Sequence, residues 1–225
     1  METQIQSFEA TIKFLQNEAV EFLTNSKLIL KGVVIQPTEI EVYYFKEGEF
    51  EDKTVHKNEL QQNNALHFYI HRRGKKATDS IKGGNRAGID FVLSDEENKY
   101  YTYLIRSAII KGALVNGPHN VLEAIKKECN STEKDIEETG VQIVENKIPC
   151  EVLFSNRINL GKNADEFRDL KLRAVLCDDA YKQSKYPAKE QMIIDYIVDG
   201  NIAREQAMQF ACKRLGYIPK KLRLL

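Results

Sequence analysis

The stretch from residue 28 to residue 110 is a succession of short segments with the apolar and β-branched pattern of strands. Helical periodicity precedes it over 7–24 and follows it at 117–127, 188–198 and 202–215. The segments that the pattern predicts to be strands are 28–35, 40–45, 66–72, 86–93, 100–110, 151–155 and 171–177. Strands in the middle of a chain with helices before and after them predict an α+β domain around a mixed or mainly antiparallel, curved sheet.

Turn-forming and polar residues mark the connections between these strands. Gln36-Pro37-Thr38 predicts the turn of a hairpin between the first two strands. Residues 46–64 are polar and predict a long loop, and such loops in compact domains are often functional. The Gly- and Lys-rich stretch between Arg72 and Arg86 predicts a second long loop or a β-ribbon.

The composition is that of an ordinary globular protein. Of the 225 residues, 42% are hydrophobic and 29% are charged, which fits one domain spanning 1–225. No apolar run approaches the ~20 residues that a membrane span needs, and the polar segment Met1–Glu9 is unlike a signal peptide. The four cysteines are scattered without a CxxC pair. We therefore expect a reduced, cytoplasmic protein with no membrane partner, no metal and no other cofactor.

Charge is balanced over the whole chain but not along it. Equal numbers of basic and acidic residues, 33 of each, leave a nucleic-acid partner neither favoured nor excluded. Arg72, Arg73, Lys75 and Lys76 form a basic run without an acid, called here the basic run 72–76, and Lys213–Arg223 forms another. Such runs either contact phosphate or form a solvated surface. Apolar residues at core spacing in the last helix favour packing against the sheet over a DNA-reading helix-turn-helix.

One predicted strand places a carboxylate beside aromatic rings. Alternate side chains of a strand share a face, so Glu41, Tyr43 and Phe45 lie together. Arg106 falls in a strand otherwise suited to burial, where it needs an anionic partner such as Glu41 or Asp90. The alternatives are an edge strand with Glu41 in solvent and a purely structural ion pair.

Other kinds of chemistry have less support. His67 and His71 are separated by four residues of strand, which places their imidazoles about 13 Å apart, too far to share one metal ion easily. No nucleophile elbow surrounds a Ser or Cys, and Lys82-Gly83-Gly84 matches neither a P-loop nor a dinucleotide fingerprint. The carboxylate and its aromatic neighbours remain the candidate site.

The order and spacing of several segments resemble those of the methylpurine (3-methyladenine, or alkyladenine) DNA glycosylases. The segments that carry the resemblance are Ile40-Glu41-Val42-Tyr43 (similar to the family's E-x-E-A-Y strand), His56, Phe68-Tyr69-Ile70, Gly88-Ile89-Asp90-Phe91, Leu104-Ile105-Arg106-Ser107-Ala108, Gly117-Pro118, Ser155-Asn156-Arg157-Ile158 and Lys171-Leu172-Arg173. The resemblance spans roughly residues 15–177. It implies that family's antiparallel fold, also similar to the C-terminal domain of formyltransferases, over about 7–177. A C-terminal helical extension then covers about 186–225.

The resemblance also implies a role for each matching residue. Glu41 is the carboxylate that activates water, and Arg106 helps to hold that water and the carboxylate. Tyr43 and His56 stack on opposite faces of the flipped base, and Tyr69 closes the edge of the pocket.

Further positions complete the implied site. Asp90, which stands where the family usually has Asn, lies at the pocket floor, and the backbone near Ile158 is a further water contact. The basic run 72–76 occupies the hairpin tip where the family carries an aromatic wedge, and we expect it to hold the DNA backbone.

The implied activity is base excision repair by a monofunctional, monomeric DNA glycosylase acting on an alkylated purine in damaged, double-stranded DNA. A base inside a duplex must be flipped out to be reached, and electron-poor purines stack well on aromatic rings. One carboxylate can stabilise the oxocarbenium-like state and orient water. Two alternatives stay open: a non-catalytic module that binds nucleic acid or a modified base, and an N-glycoside hydrolase of free nucleosides or nucleotides.

Overall fold

The computed structural model describes residues 2–160, 162–176, 193, 197 and 202–223. Within these residues the strands form one curled, ten-stranded sheet in which every pair is antiparallel. The strands are β1 (Ser26–Leu30), β2 (Val33–Lys46), β3 (Phe50–Glu51), β4 (Phe68–Ile70), β5 (Ile89–Val92), β6 (Lys99–Ile110), β7 (Ala113–Asn116), β8 (Gln142–Glu145), β9 (Val152–Ser155) and β10 (Arg173–Leu176). The helices are α1 (Glu2–Asn25), α2 (Pro118–Cys129), α3 (Glu133–Glu138), α4 (Arg204–Leu215) and α5 (Lys220–Arg223). The α+β prediction is confirmed at this level.

The central strand of the sheet is β2, which is 14 residues long. One of its edges pairs with β6, and its other edge pairs in turn with β1, β10 and β3. The sheet therefore runs β4-β5-β6-β2-β1-β8, with β7 beside β6 and β9 beside β10. β2 therefore pairs with four other strands and joins the β6 side of the sheet to the β1, β3 and β10 side.

The predicted turn at Gln36-Pro37-Thr38 is wrong. The hairpin instead turns at Lys31-Gly32, whose φ angles of 48° and 77° are typical of a type I′ turn, and β2 continues through Pro37. The pairing of β2 with β6 is irregular between Pro37 and Ile40. Proline has no backbone N–H to donate to a neighbouring strand. A bulge of this kind accommodates it, because the ladder does not need a donor from every residue of the bulged strand.

The predicted long loop 46–64 contains short regular elements. Phe50–Glu51 returns antiparallel to β2, and Glu59–Gln61 forms a 3₁₀ turn capped by the side chain of Asn58. The predicted helix over 188–198 lies outside the described residues except at 193 and 197. The predicted last helix is observed as α4, which ends at Gly216 with a φ of 80°.

The main core lies on one face of the sheet, beneath α1, α2 and α3. Apolar side chains of β2 and β6, such as Val42 and Ile105, pack there against Leu15, Leu23 and Ile125 of the helices. A smaller cluster joins α4 to β9 and β10, consistent with a helix that packs on the sheet. No helix in the described part of the chain is long and apolar enough to cross a membrane. The polar side chains that alternate with the core residues project from the opposite face.

Candidate active site

The carboxylate of Glu41 is fully buried and is held by three partners. Its Oε1 accepts a hydrogen bond from the backbone N–H of Ile158 at 2.9 Å and lies 3.1 Å from Nη1 of Arg106. Its Oε2 accepts a hydrogen bond from the hydroxyl of Tyr43 at 2.9 Å. Every partner is a donor, so the three contacts hold the carboxylate in one orientation.

Tyr43 shares the strand face of Glu41, as the alternation along β2 predicts. Burial raises the pKa of the Tyr43 hydroxyl well above its usual value, and the charge of Glu41 raises it further. The hydroxyl therefore stays protonated and keeps donating to Glu41. The guanidinium carbon of Arg157 lies 4.8 Å from the centre of the Tyr43 ring and covers one of its faces.

A row of buried, charged side chains holds Arg106 in place. Its Nε lies 3.3 Å from Oε1 of Glu39, and the same oxygen accepts a hydrogen bond from Nε of Arg173 at 2.7 Å. Burial raises the pKa of Glu39 despite the opposing attraction of Arg173 and Arg106. Positive and negative charges thus alternate across β10, β2 and β6 in the order Arg173–Glu39–Arg106–Glu41. These contacts fix the Arg106 guanidinium, which contacts Glu41.

A second buried pair fixes the segment that contributes Ile158. Arg157 and Asp52 are both fully buried, and Nη1 of Arg157 donates to Oδ2 of Asp52 at 2.6 Å. The same guanidinium donates to the carbonyl oxygens of Val42 and Phe167. Since Ile158 follows Arg157 directly, this anchor also sets the position of the N–H that reaches Glu41.

A cavity with a volume of about 720 Å³ opens above Glu41. Besides Glu41 and Tyr43, it is lined by Lys53, Thr54, His56, Gln61, His71, Lys82, Arg86, Ala87, Gly88, Asp90, Leu104, Arg106, Pro118, Ile158, Asn159 and Leu160. The size falls within the usual range for small-molecule sites, roughly 300–1,000 Å³.

The ring of His56 is part of the cavity wall and is neutral at pH 7. Burial lowers its pKa to about 4, and the neighbouring positive charges of His71 and Lys82 add to this effect. The ammonium of Lys82 donates to Nε2 of His56 at 2.9 Å. Since Nε2 accepts this hydrogen bond, the neutral ring carries its proton on Nδ1. The hydroxyl of Tyr69 lies 3.5 Å from that Nδ1.

Asp90 is buried at the cavity floor with both carboxylate oxygens occupied. His71 donates to Oδ1 at 2.8 Å, and the side chains of Gln61 and Thr102 each donate to Oδ2 at 3.1 Å. Burial alone would raise the pKa of Asp90, but the charge and hydrogen bond of His71 outweigh it, so the pKa lies below its usual value.

Three cations line the cavity although the chain as a whole is neutral. Lys53 and Arg86 are exposed and Lys82 is partly buried, whereas the acids Glu41 and Asp90 are buried among their donors. Lys82 belongs to the Gly- and Lys-rich stretch and Arg86 ends it, but no sequence pattern places either side chain in the cavity lining.

The basic run 72–76 lies outside the cavity lining, and its members have different surroundings. Arg72 is half-buried and donates to Oε2 of Glu137 at 2.6 Å. The other cations are exposed: Arg73, Lys75 and Lys76. The side chain of Asn58 donates to the carbonyl oxygens of residues 74 and 76, which ties this loop to the segment that carries His56.

The structure therefore brings together most residues that the sequence nominates. Lining residues of the cavity include Glu41, Tyr43, His56, Asp90, Arg106 and Ile158. Tyr69, predicted to close the edge of the pocket, is fully buried and is not part of the cavity lining, and its hydroxyl lies 3.5 Å from Nδ1 of His56. Sequence reasoning did not identify Glu39, although it shares the strand face of Glu41. It also did not identify the buried Arg157–Asp52 pair or the position of His71 in the cavity lining. In the described part of the chain, no group of three His, Cys, Asp or Glu side chains is arranged to hold a metal ion.

The chain matches no established protein family, and no curated protein is significantly similar to it.

Proposed function

We propose that this chain is a DNA N-glycosylase that hydrolyses the bond between a modified purine and its deoxyribose. One observation carries the proposal: a buried carboxylate, Glu41, is fixed by Tyr43, Arg106 and the N–H of Ile158 at the base of a cavity that can hold a purine nucleoside. Carboxylates in such positions stabilise oxocarbenium-like transition states and activate water.

Glu41 performs the chemical step. As the glycosidic bond lengthens, its negative charge stabilises the positive charge that develops on the sugar. It then accepts a proton from the water whose oxygen bonds to the anomeric carbon. Arg106 keeps the carboxylate oriented, and Glu39 on its far side balances the charge of the arginine.

The walls of the cavity suit a flat, electron-poor base. Arg157 covers one face of the Tyr43 ring, so the opposite face is the one that meets a ligand. His56 supplies a neutral ring on the wall, where a cationic base meets no like charge from it. Stacking of an electron-poor purine on such rings contributes about 0.5–2 kcal/mol per cation–π contact.

The cations that line the cavity favour DNA over a free nucleoside as the substrate. Lys53, Lys82 and Arg86 face a region through which a flipped nucleotide would enter with its flanking phosphates. The exposed cations of the basic run 72–76 are tied to the same wall through Asn58 and extend this surface. A free nucleoside carries no phosphate and would gain little from these side chains.

The decisive assay measures base release under single-turnover conditions. Duplexes with one 3-methyladenine, 7-methylguanine, hypoxanthine or ethenoadenine are incubated with the wild-type chain and with Glu41→Gln. We expect release of at least one base by the wild type and a loss of about 10²–10⁴-fold in Glu41→Gln, with duplex binding retained. Equal rates for the two proteins would rule out Glu41 as the catalytic residue.

The complete burial of Glu41 favours one rival function. A carboxylate at 0% exposure, already bonded to three partners, also suits a module that binds a modified base without reacting. That function predicts tight binding of one of the four duplexes with no base release by the wild type. Release from free nucleosides but from no duplex would instead indicate the nucleoside hydrolase.

A further inference from the structure

Lys82 is a partly buried lysine in the lining of the cavity, and its backbone is fixed by a hairpin. Its N–H donates to the carbonyl oxygen of His71 at 2.8 Å, next to the antiparallel bridge between Arg72 and Ile81. These contacts pair the segment that carries Lys82 with the residues that follow β4. The hairpin therefore sets the position at which the lysine side chain enters the cavity wall.

The amino group of Lys82 has a neutral partner in place of a carboxylate. Its Nζ lies 2.9 Å from Nε2 of His56, whose ring is neutral at pH 7. Among the residues that the structure describes, Lys82 forms no ion pair with an Asp or Glu side chain. An uncharged amine can make the same hydrogen bond to His56, and its lone pair is then available to a molecule in the cavity.

The surroundings of Lys82 favour the uncharged amine more than water does. Burial lowers the pKa of Lys82 from its usual value, and this effect exceeds the opposing attraction of Asp90. Arg86, a second cation of the cavity lining, lowers the pKa further. Partial desolvation and a neighbouring cation are the two conditions that make a lysine a nucleophile towards carbonyl carbon.

Release of a base would create a carbonyl group in the same space. Hydrolysis by the water that Glu41 activates leaves a sugar hemiacetal, which is in equilibrium with an open-chain aldehyde. Glu41 and Lys82 line one cavity, so the carbon that loses the base is enclosed by the wall that carries the amine. Holding an amine and an aldehyde together in this way favours their combination into an imine.

We propose that Lys82 forms an imine with the abasic site and that the chain is thereby also a lyase, which cleaves the DNA strand on the 3′ side of that site. This inference rests on the proposed glycosylase function for the origin of the abasic site. It goes beyond hydrolysis of the glycosidic bond, which uses Glu41 and water. It also departs from the monofunctional enzyme that the sequence resemblance implies.

The reaction is balanced in atoms and electrons. The uncharged Nζ bonds to C1′ of the aldehyde, and the aldehyde oxygen leaves as water with the two protons of the amine. A proton then passes from C2′ to water, and the electrons of that C–H bond form a double bond between C2′ and C3′. The bond between C3′ and its oxygen breaks, and the phosphate leaves with the electron pair. Water finally hydrolyses the imine, which restores Lys82 and leaves an unsaturated aldehyde on the DNA.

The test traps the imine on a duplex that already contains one abasic site, so that no base has to be released. The wild type, Lys82→Arg and a control variant are incubated at saturating concentration with this duplex and sodium borohydride, which reduces an imine to a stable covalent bond. Gel electrophoresis measures the adduct, and mass spectrometry of its peptides identifies the modified amine. Strand cleavage is measured in parallel without borohydride, and urea unfolding gives the folded fraction of each protein.

Lys57→Arg is the matched control. Lys57 is also partly buried, and burial lowers its pKa as well, but it lies over the ring of Phe45 and outside the cavity lining. Arginine keeps the positive charge at either position and has no primary amine. The comparison therefore separates a lysine that is merely perturbed from one that faces the abasic sugar.

We expect the wild-type adduct on Lys82, and a loss of both adduct and strand cleavage of at least about 10²-fold in Lys82→Arg. Lys57→Arg should change either quantity by less than about threefold. No wild-type adduct, an adduct on another amine, or an equal adduct in Lys82→Arg would overturn the inference.

The two functions fail separately. Base release from the modified duplexes without an adduct on Lys82 would overturn the lyase and leave the glycosylase standing. An adduct on Lys82 without release of any base would support the amine site and overturn the glycosylase.

Discussion

Replacing Arg157 by Met removes the cation of a fully buried pair while keeping most of its apolar stem. Among the described residues, the donors that then remain to Asp52, at 0% exposure, are the Thr54 N–H and hydroxyl, at 2.9 and 2.6 Å. Leaving one charge of a buried pair without its partner costs about 3–5 kcal/mol. For a chain of this length, a cost of that size corresponds to a fall in Tm of roughly 6–20 °C.

Urea unfolding at pH 7 measures this cost, and two further variants interpret it. Lys147→Met removes a surface pair in which Lys147 and Glu145 are 78% and 73% exposed, and it should cost no more than about 1 kcal/mol. The double variant Arg157→Met with Asp52→Leu should be more stable than the sum of the two single effects, because no unpaired charge remains. If Arg157→Met costs as little as Lys147→Met, the pair does not anchor the Ile158 segment.

Three further predictions concern the cavity wall and the basic run. The pKa of His56 is near 4 in the folded chain and about 6.5 in the unfolded chain, so the unfolded state binds more protons between these values. The free energy of unfolding should therefore fall by up to about 3 kcal/mol as the pH drops from 6.5 to 4. Urea unfolding at each pH measures this fall, which should be smaller in His56→Gln. Gly88→Ala should cost about 1–3 kcal/mol in urea unfolding by crowding His71, whereas Gly83→Ala, whose Cβ meets nothing within 4 Å, should be nearly neutral. Neutralising Arg73, Lys75 and Lys76 together should make the slope of log K against log salt for duplex binding shallower by up to about 3, and an unchanged slope would exclude these cations from the DNA interface.

Local patterns along β2 and β6 predict the centre of the site correctly. Alternation places Glu41 beside Tyr43, and the burial of Arg106 demands the anion that Glu41 supplies at 3.1 Å. The same alternation also places Glu39 on that face, where it shares Arg106. Short-range periodicity is enough for Glu41 and Tyr43, whereas Arg106 contacts both carboxylates at the place where the pairing of β2 with β6 is irregular.

Contacts between distant segments are not visible in such patterns. Asp52 and Arg157 are 105 residues apart, and only the packing of two irregular segments makes them a pair. The predicted turn at Pro37 is wrong for a related reason, since the bulge that tolerates this proline depends on pairing with β6. Likewise, nothing in the sequence near Lys82 shows that a loop returns it to His56.

Glu39 and Glu41 offer the sharpest test of whether the buried carboxylate at the cavity is functional. Both are almost fully buried and both contact Arg106, but Glu41 lines the cavity and Glu39 does not. The measurement is the single-turnover rate of base release by Glu41→Gln and Glu39→Gln, each corrected for its folded fraction. We predict a loss of about 10²–10⁴-fold for Glu41→Gln and less than about tenfold for Glu39→Gln. Equal losses in the two variants would contradict a catalytic role and identify Glu41 as one more member of a structural charge network.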